Sequence, residues 1–278
     1  MRKAGNRGDM DVEASWIRCF HPKPEAAHTL VCFPHAGGSA SYYYGLSAAL
    51  DADIEMLVIQ YPGRENRLFE EPVASIAALA DSVSEALSAR LGARLGTGLG
   101  VRPVLFGHSM GAIVAFEVAR RLERAGGGPA PKALVASACS APSDAPNRAE
   151  RLDPVDGEQD SDVLARILGL GGTTEGLGEH TDLMELVLPA IRADLSALVA
   201  YRAADQAAVG CPVTVFVADG DSEVAADEVW LWGRHTTAGD AEVHVFEGDH
   251  FYLSKLPKDF LDLLQETVRT SRPEISPA

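Results

Sequence analysis

The sequence predicts an α/β fold: a mostly parallel central sheet with helices on both faces. Three observations predict it. Short apolar runs rich in β-branched residues recur along the chain, and longer stretches of helical periodicity separate them. Most of the runs are also apolar without alternation, as strands covered on both faces must be.

Taken in order, Trp16 to Phe20 reads as an edge strand. Thr29 to Phe33 and Ile54 to Ile59 are the first two buried strands. Ser75 to Arg90 has helical spacing, and the Gly/Leu/Ala stretch from Leu91 to Gly100 reads as a loop. Pro103 to Phe106 is a strand that runs directly into the helical pattern Gly111 to Ala125, and Ala133 to Ala136 is the next strand. Pro212 to Val217 and Glu242 to Phe246 complete the sheet. Helical patterns cover Glu223 to Thr236 and Pro257 to Arg269, the latter with Pro in its first turn, where a missing N–H costs nothing. One stretch breaks the rhythm. From about 142 to 208 no strand is evident, glycines punctuate apolar helical patches, and Leu183 to Tyr201 is the longest patch. A helical insertion of this kind lies over the carboxyl edge of the sheet, where ligands bind, and is read as a lid. The expected organisation is a disordered tail over 1–15, one domain over 16–270 with the lid inside it, and a C-terminal tail over 271–278.

Composition narrows the function classes. Apolar residues at 46% and charged residues at 23% are incompatible with a largely disordered chain. No run is apolar and long enough for a membrane span, and no apolar segment follows the charged N-terminus to make a secretory signal. Cys19, Cys32, Cys139 and Cys211 are widely spaced, against both a zinc cage and a disulfide framework. A cytoplasmic location is the expectation. Acidic residues outnumber basic ones by 40 to 24, a net charge of −16, which opposes phosphate-driven nucleic-acid binding.

The chemistry is concentrated in a few places. Gly107-His108-Ser109-Met110-Gly111 lies between a strand and a helix, the context of a nucleophile elbow, in which the glycines allow a sharp turn that pushes the serine hydroxyl out. Ser109 is therefore the candidate nucleophile. A hydroxyl needs a base, and His250, in the Gly248-Asp249-His250 turn after the last strand, is the histidine in the right place. The acid that orients it should follow the penultimate strand, where Asp219 and Asp221 both stand. Asp221 is favoured because Gly220 lets the chain turn toward the histidine loop. The oxyanion of a tetrahedral intermediate needs N–H donors. Met110, directly after the nucleophile, offers one, and Ala36, in the loop Phe33-Pro34-His35-Ala36-Gly37-Gly38, offers the second. His35 and Phe251 flank these groups as candidate substrate-binding residues. No metal site and no cofactor are expected.

These residues together resemble the type II thioesterases, stand-alone editing enzymes that accompany polyketide synthases and nonribosomal peptide synthetases. Phe33 to Gly38, Gln60-Tyr-Pro-Gly-Arg64 with Arg67, the elbow, Leu188 to Asp194 with Tyr201, and Gly248 to Phe251 carry the resemblance. It departs from the family at Ala218, usually Gly, and at Gly220, which with Asp221 stands where two adjacent acids are usual. The resemblance implies an α/β-hydrolase fold with a helical lid and a Ser109–His250–Asp221 triad. The implied reaction is hydrolysis of acyl thioesters from the phosphopantetheine arm of acyl or peptidyl carrier proteins, with the arm as substrate. A monomer is expected, with no membrane or nucleic-acid partner. Alternatives are a general carboxylester hydrolase and a non-catalytic carrier-binding protein. Because carrier proteins are generally acidic, Arg64, Arg67, Arg120, Arg121 and Arg124 are a candidate basic docking patch.

Overall fold

The computed structural model describes residues 15–95, 102–126, 128–144, 163, 181–224 and 228–270. The strands are β1 (Ile17–Arg18), β2 (His28–Phe33), β3 (Ile54–Ile59), β4 (Val104–His108), β5 (Ala133–Ser137), β6 (Val213–Ala218) and β7 (Glu242–Phe246). They form one sheet of order β1-β3-β2-β4-β5-β6-β7, parallel throughout except for β1, which pairs antiparallel with β3 at the edge. The chain moves from β2 outward to β3, then returns to the other side of β2 with β4. The sheet thus has its topological switch point between β2 and β4, where neither crossover helix covers the carboxyl ends.

Alternation along the strands divides the interior into two cores. Val31, Phe33, Leu57, Ile59 and Leu105 belong to one, and Leu30, Cys32, Met56, Val58 and Phe106 to the other. The first core is closed by helices α2 (Ile76–Leu95) and α3 (Met110–Ala125) and by Leu188, Ile191, Leu195 and Leu198 of α4 (Thr181–Ala200). The second is closed by α1 (Tyr44–Ala49) and α5 (Lys258–Thr270), which delivers Phe260, Leu264 and Val268. Burial on both faces is why the strands read as continuous apolar runs.

Two readings of the sequence need correction, and one helix went unread. Glu223 to Thr236 is not an α-helix: Val229–His235 is a 3-10 helix, held by buried Trp232, whose Nε1–H donates to the carbonyl of Cys139 at 2.9 Å. α2 extends to Leu95, into the stretch read as a loop. Helix α1, only six residues long, offered too short a periodic signal to be read. The expected tails over 1–14 and 271–278, and 145–162 and 164–180 of the expected lid, lie outside the described residues.

Candidate active site

The switch point places the ends of β2 and β4 side by side, and the chemistry-bearing loops leave from there. Only Ser109 separates β4 from α3, and its backbone sits at φ +53°, ψ −122°. That conformation is strained for any residue with a side chain. It persists because everything around it is close-packed. A Cβ on Gly107 would lie 2.2 Å from the carbonyl oxygen of Gly111, and one on Gly111 would lie 2.0 Å from that of Phe33. No side chain fits either place, which is the physical content of G-x-S-x-G. The N–H of Ser109 donates to the carbonyl of Ser137 at 2.8 Å, pinning the elbow to the end of β5. His108 and Met110 are buried while Ser109 is partly exposed.

The candidate acid and base stand in the loops after β6 and β7. Asp221 lies 2.9 Å (Oδ2) and 3.1 Å (Oδ1) from His250 Nδ1, with both side chains buried. A carboxylate only accepts, so Nδ1 carries the proton and Nε2 presents a lone pair. Asp221 Oδ1 also accepts the N–H of Glu223 at 2.9 Å, which holds the carboxylate in place. The competing Asp219 is exposed and accepts the N–H of Gly248 at 3.1 Å, bracing the histidine loop from outside. Asp249 accepts the N–H of Phe251 at 2.8 Å, a local turn bond. Among the described residues no hydrogen bond joins Ser109 Oγ to His250. The His250 ring lies 5.3 Å from that of His108, directly before the serine. Looseness at this contact is common before substrate binds.

The N–H groups of Ala36 and Met110 donate to no other described residue, although both residues are buried. Three nearby N–H groups are already engaged. Gly38 N–H donates to the carbonyl of His35 at 2.9 Å, Gly37 N–H to Asp194 at 2.7 Å, and Ala40 N–H to Gln60 Oε1 at 2.8 Å. Two unspent donors beside a strained serine are what an oxyanion site requires.

An aromatic cluster backs the site. His35 packs edge-on against Phe251 at 4.8 Å and against His108 at 5.9 Å. Phe251 is only 3% exposed. His108 Nδ1 is hydrogen-bonded to Ser137 Oγ at 2.9 Å, and that oxygen to the Tyr252 hydroxyl at 2.7 Å. Burial, with the nearby His250 second, holds the His108 imidazole well below its ordinary value. His35 is lowered to about 3 by burial, then by His250 and Arg64. Both rings are therefore neutral near pH 7, and neither His35 Nδ1 nor His108 Nε2 has a hydrogen-bond partner among the described residues.

Of the five arginines read as a basic patch, four are paired with acids and only Arg124 is exposed without such a pair among the described residues, so the five do not form a patch. Arg64 is paired with Asp194, and Arg67 with Glu70 while lying 4.0 Å from the centre of the Trp16 ring. Arg120 and Arg121 share Glu117, and Arg121 also meets Asp81. Arg64, Arg67 and Arg120 are buried. Glu70 and Glu117 stand three or four residues from their arginines, whereas Asp194 and Asp81 come from other elements, which spacing along the chain does not bring together.

Sequence reasoning also missed Ser137, Tyr252 and Gln60. Each supports the site through hydrogen bonds to residues distant in the chain or through the backbone, and no local pattern marks such contacts. Among the described residues no group of His, Cys, Asp and Glu is arranged to hold a metal ion, and no helix is long and apolar enough to cross a membrane.

Residues 28–269 match the model of the thioesterase domain family. The chain is similar to thioesterase PikA5 of Streptomyces venezuelae, 41% identical over 86% of this chain and 80% of that one. It is also 39% identical to a probable cadicidin biosynthesis thioesterase of Streptomyces griseus, over 88% of this chain, and spans 63% of that relative's length. Among solved structures it resembles the type II thioesterase BorB from the borrelidin biosynthetic cluster, with a TM-score of 0.77, 36% identity, and coverage of 92% of this chain and 98% of that one. YbtT, a type II thioesterase from the yersiniabactin pathway, gives 0.75 and 29% identity, covering 92% and 99%.

Proposed function

The chain belongs to the thioesterase family and is an enzyme that hydrolyses thioesters; we propose that it does so as a serine hydrolase acting on acyl or peptidyl carrier proteins. Its work is to clear stalled or misprimed acyl groups from phosphopantetheine arms in polyketide or nonribosomal peptide biosynthesis. Its similarity to type II thioesterases of such pathways supports that reading.

In the mechanism we propose, His250 Nε2 takes the proton of Ser109 as its oxygen attacks the thioester carbonyl. Asp221 keeps the imidazole in the tautomer that can accept that proton, and stabilises the charge the ring acquires, without itself becoming protonated. The N–H groups of Ala36 and Met110 receive the oxyanion. The tetrahedral intermediate collapses, the C–S bond breaks, and His250 returns the proton to the departing thiolate. Water then repeats the sequence in the second half. His250 removes its proton as it attacks the acyl-serine, and the same proton goes back to Ser109 as the acid leaves. His35 and Phe251 are proposed to line the acyl end of the site. The chain would act in the cytosol, as a monomer of one domain with a lid.

The observation that carries the reading is the Asp221–His250 contact at 2.9 Å beside a serine held at φ +53°. The test is a panel of carrier proteins loaded with acyl groups of different length, offered to the enzyme and to its Ser109→Ala variant. Release of free acid by the first and none by the second is the expected result. Faster turnover of small oxygen esters than of any acyl-carrier would favour a general esterase instead.

A further inference from the structure

The oxyanion loop is a tight turn. The Gly38 N–H to His35 carbonyl bond closes it, and Gly37 sits third at φ +74° while Ala36 does not have a positive φ, the pattern of a type II turn. Such a turn has a second conformer within reach by rotation of its central peptide, here the one joining Ala36 to Gly37. The Ala36 N–H belongs to the preceding peptide, one Cα away, so the donor is set before charge develops only if the central peptide that shares Ala36 with it is held.

Asp194 is the group in contact. Its Oδ2 accepts the Gly37 N–H at 2.7 Å, and rotation would turn the Ala36 carbonyl toward the carboxylate in place of the N–H. Asp194 is 0% exposed, and it is itself gripped by Arg64 through two parallel bonds of 2.8 and 3.1 Å. The same guanidinium donates to the Gly38 carbonyl at 3.1 Å and to that of Pro62 at 3.2 Å. The loop is thus tied on both sides of its central peptide. The helix that brings Asp194 also packs there: a Cβ on Gly37 would lie 2.7 Å from Ile191, and one on Gly63 would lie 3.4 Å from Ala190.

We propose that Asp194, fixed by Arg64, is a positioning residue that sets the oxyanion loop through the N–H of Gly37, so that seating of helix α4 and readiness of the Ala36 donor are one event. This rests on the thioesterase reading and adds to it the device that couples the segment over the site to the chemistry.

The experiment compares Asp194→Asn with Glu117→Gln, which disturbs a buried ion pair away from the oxyanion loop. Both should lower the melting temperature. With a small-thiol acyl thioester, Asp194→Asn is expected to lose kcat on the order of 10²-fold, the scale of one oxyanion donor, with KM little changed. Glu117→Gln should keep kcat within about twofold, because distant perturbations act independently. A kcat for Asp194→Asn as close to wild type as that of Glu117→Gln would overturn the proposal. Should Asp194→Asn not fold, amide exchange at Gly37 in the wild-type chain decides. Strong protection is expected, and exchange at the rate of a free loop amide would refute the contact. A wild-type chain inert to every thioester would defeat the functional reading, and Gly37 exchange would then judge the positioning alone.

Discussion

At φ +53°, Ser109 occupies a conformation costing on the order of 1–3 kcal/mol, and its neighbours show what keeps it there. Its N–H is spent on Ser137 and its flanking residues are buried, so relaxation would break packing on both sides. The choice between Asp219 and Asp221 also belongs to this scale. Asp221→Asn should lower kcat by roughly 10⁴-fold through the wrong imidazole tautomer. Asp219→Asn should cost little, because among the described residues that carboxylate accepts only the Gly248 N–H; hydrolysis of an acyl thioester checks both. His108 carries a pH signature. Its folded pKa lies below the ordinary value of 6.5, so below that pH the unfolded chain binds a proton that the native chain refuses. Stability from this group is intact above pH 6.5 and lost as pH falls, by up to about 1.4 kcal/mol per unit. Thermal melting from pH 7.5 down to 5 should show that decline, and His108→Asn, able to keep a bond to Ser137, should make it shallower, the remainder coming from the other histidines held low by burial, His35 above all.

At the scale of elements, the strand-to-helix elbow is a packing problem with one solution. β4 and α3 approach the end of β2 so closely that Gly111 touches the carbonyl of Phe33. Gly111→Ala must therefore push the oxyanion loop and the elbow apart, and little or no folded protein is expected; soluble yield and near-ultraviolet circular dichroism would report it. This element was legible in the sequence because strand, glycines and helix are contiguous. Helix α4 was legible only as an apolar patch. Which of its residues face the site depends on where the helix docks, and its Pro189, a helix breaker in isolation, is tolerated inside the helix. The 3-10 segment at Val229–His235 was misread for a related reason: spacing of Val229, Trp232 and His235 by threes suits a helix of either kind, and Trp232 bonding to Cys139 belongs to tertiary packing.

For the whole molecule, the net charge of −16 stands with Arg64, Arg67, Arg120 and Arg121 each paired to an acid. An acidic enzyme meeting an acidic carrier repels it at long range, and salt screens that repulsion over about 10 Å at 0.1 M. kcat/KM for an acyl-carrier is therefore expected to rise from low to physiological ionic strength, with no such rise for a small neutral acyl thioester. A fall with salt would mean that a basic surface steers the encounter after all.

By itself the sequence determined the sheet, the elbow and the identities of the candidate nucleophile and base, because each is written in contiguous residues whose spacing or order reports local geometry. Only the tertiary structure decided which aspartate meets His250, that Arg64 is neutralised in the interior by Asp194, and that Asp194 reaches Gly37 across 157 positions of chain. Those outcomes depend on where separate elements dock. A side chain's partner across that distance is set by the packing of helices on a sheet, and no local pattern in the residues records it.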